Sequence, residues 1–295
     1  MTLIIHKDSV YPIIIPTNIY IDKYGNQNSF VEMNPSIFIA DNGEYTILVR
    51  TVNYLKYQNK SFTIYGDSSK SLYSIIRGNI IDDKLDLDNS EVKILDIKYN
   101  IPRYWSLWYG VEDIRFINNS TVLACIPECN NSNPCIFSGI LSGNVLTSFE
   151  KCNPNNTEKN WMPYISDEQK IVYSVCPFVI KSVLKDDRDE IYLSSEQQEE
   201  LKGWHGSSNG IDLFGSKLFL IHINEDRVYN RWLLFNPKTK TINYSNRFVF
   251  IKDSYSEFTC SLAMYNNKIY VGLGVNDNKA YIVKLSVDEI KNLFS

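Results

Sequence analysis

The feature that most constrains this chain is a strand–turn–strand unit that returns five times. Residues 36–40 and 45–50 flank Asp41-Asn42-Gly43-Glu44, whose Asn-Gly pair suits a tight hairpin. Segments 114–117 and 121–126 repeat the arrangement around Asn118-Asn119-Ser120. So do 162–165 with 170–176, 209–214 with 217–223, and 259–264 with 268–272. In each unit a loop feeds a first strand, and the turn returns a second, more apolar one. Small antiparallel sheets repeated along one chain predict an all-β fold, a five-bladed β-propeller with a short C-terminal helix. A β-sandwich with long insertions is the competing arrangement. At 295 residues the chain fits a single propeller domain spanning 1–295.

Residues 11–21 are apolar and β-branched, with Pro12 and Pro16 among them. That pattern reads as an edge strand completing the last blade and closing the ring. A further strand is expected over 61–66. Ser195-Glu196-Gln197-Gln198 carries a capping-box pattern for a short helix that Gly203 ends. Ser286-Val287-Asp288-Glu289 opens a terminal helix running to Phe294 in the same way.

Charge narrows the partners. Net charge is −4 and no basic stripe occurs, so the footprint of a nucleic-acid binder is missing. The run Lys185-Asp186-Asp187-Arg188-Asp189-Glu190 is mixed in sign and reads as a solvated loop. The first seven residues hold a short apolar run closed by His6 and Lys7. Neither a signal peptide nor a membrane span is expected, and the location expected is cytoplasmic. The six cysteines lack paired C-x₂-C spacing, and Pro127 and Pro134 fall among them. Buried thiols, or a disulfide or two, fit better than a metal site, and no cofactor is expected. The 20 Tyr, 14 Phe and 5 Trp suit carbohydrate surfaces and β-rich cores alike.

The densest chemistry lies in Gly110-Val111-Glu112-Asp113-Ile114-Arg115, directly after Tyr104-Trp105-Ser106-Leu107-Trp108-Tyr109. Two carboxylates and a guanidinium in a strand-like segment are costly to bury unless they pair or do chemistry. Other polar residues also sit where apolar strands meet loops: Asn34, Arg50, Lys159, Asn160, His222, Tyr229, Arg231, Glu257 and Asp277. Each has a mundane reading alone. Asn34 suits a turn, Arg50 a surface, His222 a hydrogen-bonded core position, and Asp277 the cap of Asn276-Asp277-Asn278. A propeller changes the weighing, because its inner strand starts converge at one end of the axis and gather these residues in one funnel.

Asn34-Pro35-Ser36, Leu48-Val49-Arg50 and the Glu-Asp-x-Arg element at 112–115 resemble the opening motifs of glycoside hydrolase family 130. Phe219-Leu220-Ile221-His222, Tyr229 and Leu233-Leu234-Phe235-Asn236-Pro237 resemble its fourth blade. Ser256-Glu257-Phe258 and residues 270–277 resemble its last. The order holds from about residue 30 to 285. The resemblance implies a five-bladed propeller acting on β-mannosides by inversion, with Asp113 as general acid. It further implies that Asn34, Arg50 and Asp277 hold the sugar, that Tyr229 lines the same pocket, and that His222 matches a phosphate-contacting histidine. Arg115 is expected in the substrate site and Glu257 as the base that activates water.

The stretches 123–127 and 172–177 lack the arginines with which the family's phosphorylases bind phosphate. Lys159 and Lys181 are the nearest cations, and phosphate needs several charge-assisted donors. An oligosaccharide or glycoconjugate is therefore the expected partner. The alternatives are an inverting glycosyltransferase using a nucleotide sugar, as in glycosyltransferase family 108, and a non-catalytic glycan-binding propeller.

Overall fold

Five antiparallel sheets succeed one another along the chain in the computed structural model, which describes residues 9–15, 19–21, 27–59, 61–66, 68–152, 157–164, 169–185 and 187–294. The first blade runs outward through Val31–Ile39, Glu44–Val52, Ser69–Ile81 and Glu91–Ile94. The second runs through Glu112–Phe116, Thr121–Cys125, Ile136–Ser142 and Val145–Lys151, with Asp96–Ile97 added parallel to its outer edge. The third comprises Met162–Tyr164, Lys170–Ser174, Phe178–Ser182 and Arg188–Ile191. In the fourth, His205–Gly206 and Ile211–Leu213 both pair with Ser216–Asn224, followed by Val228–Asn236 and Thr241–Tyr244. The fifth comprises Glu257–Tyr265, Lys268–Val275 and Lys279–Ser286.

The ring closes through Val10–Ile13, which pairs antiparallel with Lys279–Ser286, Val10 opposite Val283. Pro12 is tolerated there because an outermost strand leaves one side unpaired. The closing strand is shorter than the sequence pattern. Ile19–Ile21 leaves it and forms a separate ribbon with Gln27–Ser29. Residues 1–7, 16–18 and the turn at 166–168 lie outside the described residues.

Each interface between blades has its own apolar core. Blades one and two meet through Tyr73, Ile75, Ile114 and Phe137. Blades two and three meet through Leu123, Trp161 and Ile171, and blades three and four through Phe178, Phe219 and Phe235. Trp232, Leu262 and Val283 join four to five. Ile37, Ile47, Tyr270 and Ile282 join five to one, with Ile13 of the closing strand among them. Each fully buried large side chain contributes about 1.5–3 kcal/mol by leaving water. Such separate cores pin neighbouring blades together and so fix the positions of their inner strands.

Several local expectations are corrected. The first helix is Ser195–Leu201 with Ser194 as its cap, one residue earlier than the sequence pattern. Ser194 Oγ accepts from Gln197 N, and Gln197 Oε1 accepts from Ser194 N at 3.1 Å. The terminal helix is capped by Ser286 as expected but covers only Val287–Lys291. Arg188–Ile191, half of the charged run read as a loop, is the outer strand of blade three, where exposed charges suit an edge. Phe62–Ile64 is indeed a strand, but it pairs with Tyr54–Lys56 in a small hairpin apart from the blades. All six cysteines are free thiols. No described helix is long and apolar enough to cross a membrane.

Candidate active site

A cavity of about 490 Å³ opens where the inner strands begin, lined by residues of the first, second, fourth and fifth blades and by Lys159 and Asn160 from the segment that leads into the third. Asn34, Arg50, Asp113, Arg115, His222 and Asp277 are all in its wall, together with Glu112, Lys159 and Asn160. Its volume lies within the range of small-ligand pockets.

The first two inner strands aim their polar residues by the same device. The pairing of Val31–Ile39 with Glu44–Val52 shifts register between Met33 and Ser36, and that of Glu112–Phe116 with Thr121–Cys125 shifts between Glu112 and Arg115. Asn34 and Asp113 sit in these two bulges, with φ of 45° and 48°. Asn160 and Asp277, also in the wall, have φ of 64° and 52°. Left-handed backbone is uncommon outside glycine, and Asn and Asp tolerate it best. A bulge re-aims a side chain at a local cost that packed strands on either side absorb.

These bulges bring the first two blades into contact. Asn34 Nδ2 donates to Asp113 Oδ1 at 2.8 Å. Arg50 Nη1 lies 3.5 Å from the same oxygen, and Arg50 Nη2 donates to Glu112 Oε1 at 2.7 Å. Arg50 is buried and is held from behind by Ser71 Oγ at 2.9 Å. Burial pushes the Glu112 carboxyl above the usual range; Arg50 opposes the shift and Asp113 adds to it. Blade five leaves room for Asn34 through glycine. A Cβ on Gly274 would stand 2.1 Å from Asn34 Oδ1.

The far wall is cationic. Arg115 is buried, donates from Nε to the Ser207 carbonyl, and reaches the Asp113 carbonyl at 3.2 Å and Asn160 Oδ1 at 3.4 Å. It also lies over the Phe258 ring at 5.6 Å. His222 Nδ1 is 2.7 Å from Ser207 Oγ. Burial drives its pKa down to about 3, with His205, Arg115 and Lys159 adding to the shift and Asp113 opposing it, so the ring is neutral near pH 7. Lys159 is exposed at the rim, whereas Lys181 is buried over Trp161 and takes no part in the wall.

Two expected site residues stand differently. Glu257 reaches the wall, but its carboxylate is fully buried and accepts four hydrogen bonds. The donors are Asn230 Nδ2 at 3.0 Å, Phe250 N at 2.8 Å, Ile251 N at 2.7 Å and Ser254 Oγ at 2.6 Å. A carboxylate so engaged has no lone pair left to take a proton from water, so a base role does not fit it. Tyr229 is not in the wall; it packs against Arg227 and Arg247. The period of two explains this, since Val228, on the other face of that strand, lines the cavity.

The sequence reading missed one side of the cavity. The hairpin of Tyr54–Lys56 and Phe62–Ile64 stands over it, with Trp108 alongside. Lys56 Nζ pairs with Asp277 Oδ2 at 2.6 Å, joining the hairpin to blade five. The signal was available in Trp108, five residues before Asp113, but an aromatic at that place also suits a core.

Neither a protein-family model nor a curated protein sequence matches this chain. Solved structures do. The β-1,2-mannobiose phosphorylase of Listeria innocua superposes with a TM-score of 0.61 at 13% identity, covering 97% of this chain and 99% of that one. A structure reported with the finding that the GH130 family of mannoside phosphorylases contains hydrolases targeting β-1,2 mannosidic linkages in Candida mannan also gives 0.61 at 13% identity, covering 96% and 92%. A glycosidase-like protein of Bacteroides thetaiotaomicron gives 0.58 at 13% identity, covering 95% and 94%. The chain thus has the five-bladed propeller fold of the family 130 mannoside enzymes over nearly its whole length.

Proposed function

We propose that this protein is a carbohydrate-active enzyme that acts on a β-mannoside-like glycoside with inversion, Asp113 serving as general acid. The observation that carries the reading is the Asn34–Asp113–Arg50 cluster at the mouth of two adjacent bulges. Asn34 and Arg50 both approach Asp113 Oδ1, which reserves that oxygen as an acceptor. Oδ2 is then the position for the proton given to the leaving oxygen. Asn34, Arg50 and Asp277 hold the sugar around it, and Arg115 fixes the bulge by binding its backbone carbonyl.

An inverting hydrolase needs a second carboxylate to activate water on the opposite face of the ring. With Glu257 saturated, Asp277 is the better candidate, since Lys56 is its single hydrogen-bonded partner among the described residues. The cations argue against a strong phosphate site. Arg50 and Lys56 are neutralised by carboxylates, and Arg115 is spent on carbonyl and amide oxygens. Lys159 remains, with His222 neutral, so water or a sugar hydroxyl fits as acceptor better than phosphate.

The test is proton NMR of β-1,2-mannobiose incubated with the protein, with and without inorganic phosphate. The expected first product is α-mannose, formed at the same rate in both. β-Mannose as first product would contradict inversion, and turnover only with phosphate would make the protein a phosphorylase. Release of mannose from a nucleotide sugar, with mannobiose left intact, would favour transfer.

A further inference from the structure

The cavity has a second end that the chemistry above does not use. Tyr54, Phe62 and Trp108 meet in a three-ring cluster, with centroids 5.8 Å apart for Tyr54–Phe62 and 5.4 Å for each of the other two pairs. All three pairs are edge-to-face, at 70°, 77° and 66°. Tyr54 is buried behind the other two, whereas Phe62 and the half-buried Trp108 leave ring surface toward the cavity they line. Phe62 keeps 43% of its surface exposed even with its two ring neighbours and with Lys56 Nζ over the ring at 6.0 Å from the centroid, and that apolar surface is costly to leave in water.

The cluster is rigid before any ligand arrives. The Trp108 backbone pairs in parallel with Ser69, and its backbone N–H donates to the buried Ser106 Oγ at 3.1 Å. Ser69 Oγ donates to the neighbouring Leu107 carbonyl at 2.8 Å. Tyr54 is tied to the reacting end, because its hydroxyl oxygen lies 3.4 Å from Arg50 Nη2, and Arg50 also holds Glu112 and approaches Asp113. One guanidinium therefore separates the aromatic wall from the acid. Lys56 and Asp277 stand beside the wall and supply polar partners at its edge.

We propose that Phe62 and Trp108, backed by the buried Tyr54, form a stacking platform for a second pyranose ring, the one joined through the bond that Asp113 breaks. A pyranose has an apolar face of C–H groups and a rim of hydroxyls. An aromatic wall bordered by an ion pair complements both. The inference rests on the glycoside reading above and makes the ligand a disaccharide or longer; a single sugar occupies only the polar end. Rings already held in place lose little freedom on binding, so the contact favours affinity.

The test is calorimetric titration of the whole protein with mannose and with β-1,2-mannobiose. Trp108→Ala and Phe62→Ala are expected to weaken mannobiose binding by about tenfold or more while mannose binding stays within about twofold. Trp108→Phe should recover part of the loss. Tyr192→Ala, an 86% exposed aromatic outside the cavity wall, should change neither. Equal losses for both sugars, or no loss for mannobiose, would overturn the platform. Wild type that binds mannobiose with this pattern but never cleaves it would contradict the catalytic reading alone. Wild type that binds neither sugar would contradict both.

Discussion

The second and fifth blades each open their inner strand with an acidic residue in the cavity wall, yet the two carboxylates lead different lives. Asp113 sits in a bulge at φ 48°, with its side chain 21% accessible and two side-chain donors near one oxygen. Glu257 is wholly buried, and four donors, two of them backbone N–H groups, use both its oxygens. Asp113 lies within its strand's bulge, whereas Glu257 precedes the register shift between Thr259 and Ser261, so nearness to an inner strand's start does not by itself confer the same chemistry. What separates reagent from brace is the number of donors that claim the carboxylate. Glu257 ties the 250–254 loop to the fifth blade and to Asn230 of the fourth, while both side-chain donors near Asp113 approach Oδ1, which in the proposed mechanism leaves Oδ2 for the substrate.

The sharpest way to break this comparison is to remove the cation that serves the acidic pair. Arg50→Met leaves Glu112 and Asp113 without their buried partner, and should cost about 3–5 kcal/mol of stability by denaturant unfolding. A loss below about 1 kcal/mol would mean that the pair is effectively solvated. His222 tests the cationic wall. Its pKa is about 3 in the folded protein against an ordinary 6.5. Between those values the unfolded chain binds more protons, so stability falls as pH drops through that window. The expected loss is up to about 3 kcal/mol by about pH 4, and His222→Gln should flatten that limb. An unchanged acid limb would place the sensitivity elsewhere.

Glu257→Gln turns an acceptor for four donors into an amide that can satisfy only some of them. It should destabilise by about 1–3 kcal/mol while activity per folded molecule changes little. A loss of turnover with stability intact would return Glu257 to catalysis. Gly274→Ala is expected to cost folding no more than Glu257→Gln does and to act chiefly on turnover. Its new methyl meets Asn34 Oδ1, so the Asn34–Asp113 contact should shift and kcat fall by about tenfold or more, with stability lowered by about 1–3 kcal/mol. Normal kcat in a folded Gly274→Ala protein would show that Asn34 does not position the acid.

Much of this was legible in the sequence because propeller strands are short and regular. The five hairpins, the closing strand at Val10–Ile13 and the gathering of Asn34, Arg50, Asp113, Arg115, His222 and Asp277 all follow from where polar residues interrupt apolar runs. Such local signals cannot say which partner arrives from elsewhere. The saturation of Glu257 depends on Asn230 from another blade and on the loop at 250–254. Tyr229 comes just after the charged turn at 224–227, and only the strand's phase shows that its neighbour Val228 faces the cavity instead. The sequence marks a further strand over 61–66 but not its partner Tyr54–Lys56, and the hairpin's position over the cavity is set by tertiary contacts such as the Lys56–Asp277 pair.

The most direct measurement is the rate at which Asp113→Asn cleaves β-1,2-mannobiose, taken beside its binding of the same sugar and its melting temperature. Asn keeps the shape and the acceptor oxygen but has no carboxyl proton to give. The account predicts a fall in kcat of about 10³-fold or more, with affinity and melting temperature close to those of the native protein. Turnover within about tenfold of native by a folded, sugar-binding Asp113→Asn protein would contradict it.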